Sequence, residues 1–227
     1  MIGIIGAMAV EIEKITALIQ KKKEKTISGI KFVSGFIGKS EVITAVCGVG
    51  KVFAAVCTQT MILEYQPEFI INVGVAGGIA QCVKIGDIAV AGDVVQHDMD
   101  TSALGDPVGM ISGIDEIYIP TDESITRSIS LSIKEIGINT VTGTIVSGDQ
   151  FINNSEKKEY LRKAFSAVAC EMEGAAIGHV CHINSVPFVV IRAISDVADD
   201  SSSMDFMKFV NTAADNSAKV IKHFLIK

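Results

Sequence analysis

A three-layer α/β/α fold around a mixed, mostly parallel twisted sheet is predicted by three observations on this 227-residue chain. Short β-branched runs alternate with longer helix-like segments, the pattern of an α/β architecture. Several of those runs are apolar on consecutive residues, as expected of strands covered by helices on both faces. No linker, low-complexity tract or internal repeat interrupts the chain, so residues 1–227 are expected to form a single domain.

Taken in order, the candidate strand Ile2–Ile5 runs into a helix-like segment over Val10–Lys22. Ile30–Phe36 and Val42–Cys47, joined by Ile37-Gly-Lys-Ser-Glu41, read as an antiparallel hairpin, which makes the sheet mixed. A helix over Val52–Tyr65 leads to strands Phe69–Val75 and Ile88–Val94. The segment Asp98–Pro120 is a long loop rich in Gly, Pro and Ser, of the kind found at functional sites and interfaces. Beyond it come a helix over Ser124–Ile136, a strand over Val141–Val146, and helices over Ser155–Phe165 and Gly174–Asn184. A strand over Phe188–Ile194, the polar Asp199-Asp-Ser-Ser-Ser203 and a helix over Met204–Leu225 complete the chain.

Hydrophobic residues make up 48% of the chain and charged ones 20%, a balance suited to a globular protein with a sizeable core. The formal net charge of −6 argues against binding nucleic acid or anionic membranes, which favour basic surfaces. Five cysteines without a repeating spacing suggest reduced thiols rather than a disulfide framework. The opening MIGIIGAMAVEIEK lacks a basic leader, and Glu11 and Glu13 break its apolar run. No stretch reaches the roughly 18 apolar residues of a membrane span. A soluble, cytoplasmic protein is expected.

In open α/β sheets ligands bind beyond the carboxyl ends of the strands. Candidate strands here run into GAMAVE (Gly6–Glu11), GVGK (Gly48–Lys51), GVAGG (Gly74–Gly78), SGDQFIN (Ser147–Asn153) and RAISDVAD (Arg192–Asp199), which can converge on one crevice. Gly48-Val-Gly50 has Phe53 where a dinucleotide loop needs a third glycine, and no GxxxxGK[ST] phosphate loop occurs. His179-Val-Cys-His182 and His97-Asp-Met-Asp100 each fall short of a zinc ligand set, so no metal is expected. No GxSxG elbow is present, and no cysteine has a histidine partner by motif. Carboxylates remain: Glu11, Glu173 and Asp196 lie at predicted strand–helix junctions among apolar residues, with Arg192 nearby. Any one alone could cap a helix or pair with an arginine. Three in one crevice suit cleavage of a sugar bond, where one donates a proton, another activates water and a third holds sugar hydroxyls.

Those same segments, with INVGVAGGIA (Ile71–Ala80), KIGDIAVAGDVVQHDMD (Lys84–Asp100) and EMEGAAIGHVC (Glu171–Cys181), resemble the 5′-methylthioadenosine/S-adenosylhomocysteine nucleosidases. That group lies within the purine nucleoside phosphorylase and uridine phosphorylase superfamily, and the resemblance runs over essentially the whole chain. It implies a nucleoside phosphorylase-like fold and hydrolysis of the N-glycosidic bond of adenine nucleosides. The substrates would be 5′-methylthioadenosine and S-adenosylhomocysteine, with 5′-deoxyadenosine and aminofutalosine-type nucleosides left open, in methionine salvage. It also implies no cofactor, and a homodimer in which residues 98–120 approach the partner's pocket. By motif, Asp196 matches the general acid at purine N7, Glu11 the acid that activates water, and Glu173 the acceptor for the ribose 2′- and 3′-hydroxyls. Arg192 would support the acids and Ser195 would position Asp196. Met172 would pack on the ribose, Phe151 would stack on adenine, and Ile152 backbone groups would read its edge. Met8, Val49, Val75, Gly77 and Phe206 match further substrate-lining positions, Val49 and Phe206 at the 5′ group. Glu171 remains open between an ion pair, a structural hydrogen bond and substrate contact.

The chain departs from the pattern in places. Val75 stands where serine or threonine is frequent, Leu104 and Asp106 where bulkier aromatics often line the 5′ pocket, and Ala9 and Val10 where acids often precede Glu11. A phosphorolytic relative needs cationic phosphate ligands, and Glu11 in GAMAVE would repel phosphate. A catalytically silent nucleoside sensor is the rival of another class, against which the full set of acids speaks.

Overall fold

The computed structural model describes residues 1–226. Apolar residues set its layers. In β1 (Ile2–Gly6), Ile4 and Ile5 are both fully buried but point to opposite faces, into separate hydrophobic clusters. Consecutive apolar residues therefore report a strand covered on both sides. One cluster lies under α2 (Lys51–Tyr65) and α5 (Gly174–Ile183). The other lies under α1 (Ala9–Ala17), α3 (Glu123–Glu135) and α6 (Ser202–Ile226). A third, smaller cluster packs Leu161 and Phe165 of α4 (Ser155–Phe165) against Val95, Val146 and Cys170 at one end of the sheet.

The sheet is mixed. Parallel pairs join β1 to β4 (Ser40–Val46) and to β5 (Phe69–Gly78), and β5 to β10 (Phe188–Asp196). They also join β8 (Thr140–Ser147) to β6 (Ile88–Gln96) and to β9 (Ala167–Glu171). Antiparallel pairs link β2 (Gln20–Ile27) to β3 (Ile30–Ile37), β3 to β4, β6 to the two-residue β7 (Ile119–Pro120), β6 to β10 and β5 to β9. The predicted hairpin is β3–β4. Because β10 bonds both β5 and β6, while β9 bridges β5 and β8, strands β5, β10, β6, β8 and β9 close on themselves. Strands β1, β4, β3 and β2 extend outward from β5.

The sequence missed three strands, and each has a physical reason. The helix expected over Val10–Lys22 stops at Ala17, and Gln20–Ile27 is the edge strand β2. Its sequence, QKKKEKTI, has no buried residue and so no periodic signal; lysines on an exposed edge discourage pairing with another chain. Strand β7 holds only two residues, and β9, AVACE, has a single β-branched residue to mark it as a strand. β2 and β7 enter through antiparallel pairs, and β9 pairs parallel with β8 and antiparallel with β5, so the antiparallel share is larger than the sequence suggests.

Helix starts follow capping chemistry. Asp122 accepts from the Ile125 amide at 2.9 Å to begin α3, and Asn154 from the Lys157 amide at 2.8 Å to begin α4. Among the described residues no helix is long and apolar enough to cross a membrane.

Candidate active site

Glu11 belongs to the first turn of α1, directly after β1. Its carboxylate reaches back to accept from the Ala7 amide at 2.8 Å and the Met8 amide at 2.9 Å. Its other oxygen accepts from the Val75 amide at 3.0 Å, across the sheet on β5. Three amides and a helix N-terminus thus fix a carboxylate only 3% exposed. Burial is the largest influence on it and raises its pKa, against the opposing pull of Arg192 and the three amides. Gly74 makes room: a Cβ there would stand 2.7 Å from Glu11 Oε1 and 3.2 Å from Arg192 Nη1.

Asp196 is the last residue of β10, just past a shift in register opposite β5. Such irregularities re-aim side chains. Its Oδ1 accepts from the Ala198 amide and its Oδ2 from the Ser195 hydroxyl, both at 2.9 Å. A Cβ on Gly77, its strand partner, would lie 2.9 Å from Oδ1. Burial is again the largest influence and pushes the carboxyl above its ordinary range, against bonds from Ala198, Ser195 and Ser202.

The two acids of the EME segment divide their work. Glu171 accepts from the Glu173 and Gly174 amides that open α5, from the Ser147 hydroxyl, and from Nε and Nη2 of the fully buried Arg192. Arg192 also donates to Asn72 Oδ1, and Asn72 in turn donates to the Ile5 carbonyl at 2.9 Å. Glu171 is therefore the arginine's counter-ion. Glu173 caps no amide of its own helix; it takes one bond, from the Gly50 amide at 2.8 Å, and stands 4.0 Å from Arg192 Nη2. Burial and then the neighbouring Glu171 charge raise its pKa to about 7, with Arg192 opposing.

Glu11, Glu173 and Asp196 line one cavity. Met8, Val49, Val75, Gly77, Phe151, Met172, Ser195 and Phe206 line it too. Phe151 and Phe206 meet edge to face, with centroids 5.7 Å apart. Ile152 lines a small adjoining recess instead, with Phe151 and Asp196. Arg192 lines neither and sits behind the acids. No residue of 98–120 contributes to the cavity wall.

The sequence matches the model of the Phosphorylase superfamily over residues 1–226. The chain belongs to that superfamily. A 5′-methylthioadenosine/S-adenosylhomocysteine nucleosidase of Shewanella loihica is 38% identical over 222 residues, spanning 97% of this chain and 96% of that one. The nucleosidase of Neisseria meningitidis, solved with methylthio-immucillin-A, superposes with a TM-score of 0.96 at 34% identity, covering 99% of this chain and 98% of its own. A futalosine hydrolase of Helicobacter pylori superposes with a TM-score of 0.94 at 39% identity, covering 98% and 96%.

Within this superfamily member, sequence reasoning overlooked Asn72, Ser147 and Cys170. Asn72 and Ser147 hold Arg192 and Glu171 in place. Cys170 lines the cavity beside Asp196: its Sγ would lie 3.3 Å from a Cβ on Gly77. Burial drives its thiol well above the ordinary range. Its place next to EME was a usable signal, but strand β9 had to be seen first. His97 and His179 stay apart from the cavity lining, and no group of three or more His, Cys, Asp or Glu residues is arranged to hold a metal among the described residues.

Proposed function

We propose that this chain hydrolyses the N-glycosidic bond of 5′-methylthioadenosine and S-adenosylhomocysteine, releasing adenine and the 5′-thio-ribose product. The observation that carries the reading is the convergence of Glu11, Glu173 and Asp196, from three separate elements, on one mostly apolar cavity. The chain is an N-glycosyl hydrolase, in keeping with its nucleosidase relatives.

Adenine is a poor leaving group until its imidazole ring carries a proton. Asp196, with its pKa raised by burial, supplies that proton to N7 as the bond to the sugar breaks. The ribose gains oxocarbenium character, which the Glu173 carboxylate stabilises while accepting from the 2′- and 3′-hydroxyls. Glu11 orients water toward the opposite face and takes its proton. Acid and base steps of this kind each contribute roughly 10²–10⁴-fold. Phe151 stacks on the purine, Ile152 backbone groups read its edge and Met172 packs on the sugar. Val49 and Phe206 accept the 5′ group, and Met8, Val75 and Gly77 line the rest of the cavity. Arg192 acts behind the cavity by balancing the acids.

Phosphorolysis is disfavoured by charge. Among the described residues no lysine or arginine lines the cavity, and Arg192 is already bonded to Glu171 and Asn72. Phosphate would meet carboxylates rather than a cation. A second reading, toward nucleosides with a larger 5′ group, draws on the 39% identity to the futalosine hydrolase.

The protein is further proposed to act as a homodimer in methionine salvage, in the cytoplasm. Loop 98–120 leaves its own cavity untouched while Leu104 is 85% exposed. Val52, Phe53, Val56 and Leu63 of α2 form an exposed apolar surface of the kind that marks an interface.

Incubation with 5′-methylthioadenosine, with and without phosphate, tests the reaction class. The expected result is equal adenine release in both, together with a reducing sugar. A sugar 1-phosphate formed only with phosphate would move the chain to phosphorolysis, and bound nucleoside without adenine would make it a sensor.

A further inference from the structure

Three residues outside the cavity lining close a ring of hydrogen bonds beside it. Lys51, first in α2, donates from Nζ to Asp98 Oδ1 at 2.6 Å and to Gln96 Oε1 at 3.2 Å. The other oxygen of Asp98 accepts from the Asp149 amide at 2.9 Å. Asp149 Oδ1 then accepts from the Lys51 amide at 2.8 Å. Lys51 and Asp98 keep only 18% and 19% of their side chains exposed, so water screens this pair less than a surface one. Burial alone would raise the Asp98 carboxyl, but the Lys51 and Asp149 bonds outweigh it and hold its pKa below the usual value.

Each end of the ring touches a different part of the site. Gly50, next to Lys51, donates the single hydrogen bond that Glu173 receives. Its φ of 98° lies in the left-handed region, and a Cβ there would stand 3.0 Å from Asp149 Oδ1. Asp149 lies two residues before Phe151. Gly148, before it, packs so closely on the buried His97 ring that a Cβ would run into the imidazole.

We propose that Lys51, Asp98 and Asp149 form a positioning clamp that sets the two halves of the nucleoside site against each other. It fixes the Gly50 amide on the ribose acid Glu173 and the Phe151 loop on the purine. The proposal rests on the roles given above to Glu173 and Phe151.

The test measures adenine release from 5′-methylthioadenosine against pH for the wild type, Lys51→Met and Asp98→Asn. Glu171, Arg192 and Glu11 all face Glu173 and are left in place; Lys51 and the titratable His97 are the neighbours of Asp98, with Lys157 beyond His97. The Gly50 amide favours the ionised form of Glu173, so loosening the clamp raises that pKa further. The acid limb of kcat/KM should move up by about one pH unit, and kcat/KM at neutral pH should fall about 10- to 100-fold. A merely structural loss lowers the rate without moving the limb. Asp98→Asn keeps the side-chain volume, and decides the matter should Lys51→Met not fold. Wild-type kcat/KM in the folded variants, or a fall with the limb unmoved, overturns the clamp alone. A wild type that releases no adenine overturns the functional reading and the clamp with it.

Discussion

Glu173 sits at the start of α5 with one amide bonded to it and two acids, Glu171 and Glu11, for company. Its pKa of about 7 against an ordinary 4.5 has a consequence for stability. The folded state holds a proton there more tightly than the unfolded chain. This contribution is complete below about pH 4.5 and is lost as pH rises through about 7. A shift of that size corresponds to at most about 3 kcal/mol. Glu173→Gln should therefore raise stability at pH 8 by up to about 3 kcal/mol and change little at pH 4, read by urea unfolding at both. It should also cut turnover by at least about 100-fold. Equal stability of the two proteins at pH 8 would mean Glu173 carries no buried charge. The motif assigned Glu173 to the ribose but left Glu171 open, because Arg192 and Ser147, which claim Glu171, are distant in the chain.

Strand β5 and its neighbour β10 show how an element serves the site. Their parallel register sets Gly77 opposite Asp196 and Gly74 opposite Arg192, so missing side chains leave room for charged ones. Gly77→Ala should push Asp196 out of place and lower kcat about 10- to 100-fold in a protein that still folds. Gly92→Ala in β6 is the control, since its nearest neighbour, a Thr142 methyl, lies 3.8 Å from the added Cβ. Steady-state kinetics beside circular dichroism check both, and an active Gly77→Ala would deny the glycine this role. The helices and buried strands were legible because apolar runs report burial directly; the helix over Ser155–Phe165 starts and stops where expected. Strands β2 and β9 were not, since one has no buried residue and the other is held between β8 and the sequence-distant β5.

At the scale of the whole molecule, closure of β5, β10, β6, β8 and β9 brings the ends of β5, β9 and β10 around one cavity. The sequence suggested that its acids could meet but not that the sheet would curl shut, because closure depends on pairings between strands about a hundred residues apart. The exposed apolar face of α2 and the unused loop 98–120 predict a dimer in sedimentation; an active monomer at assay dilution would refute it. The account as a whole turns on a proton held by Asp196 for the purine. Asp196→Asn keeps the shape and removes the acid, so binding of 5′-methylthioadenosine by calorimetry and its turnover should separate. Affinity is expected to stay within about tenfold while kcat falls by at least about 10³-fold. A variant that still turns over within tenfold of the wild type would contradict it.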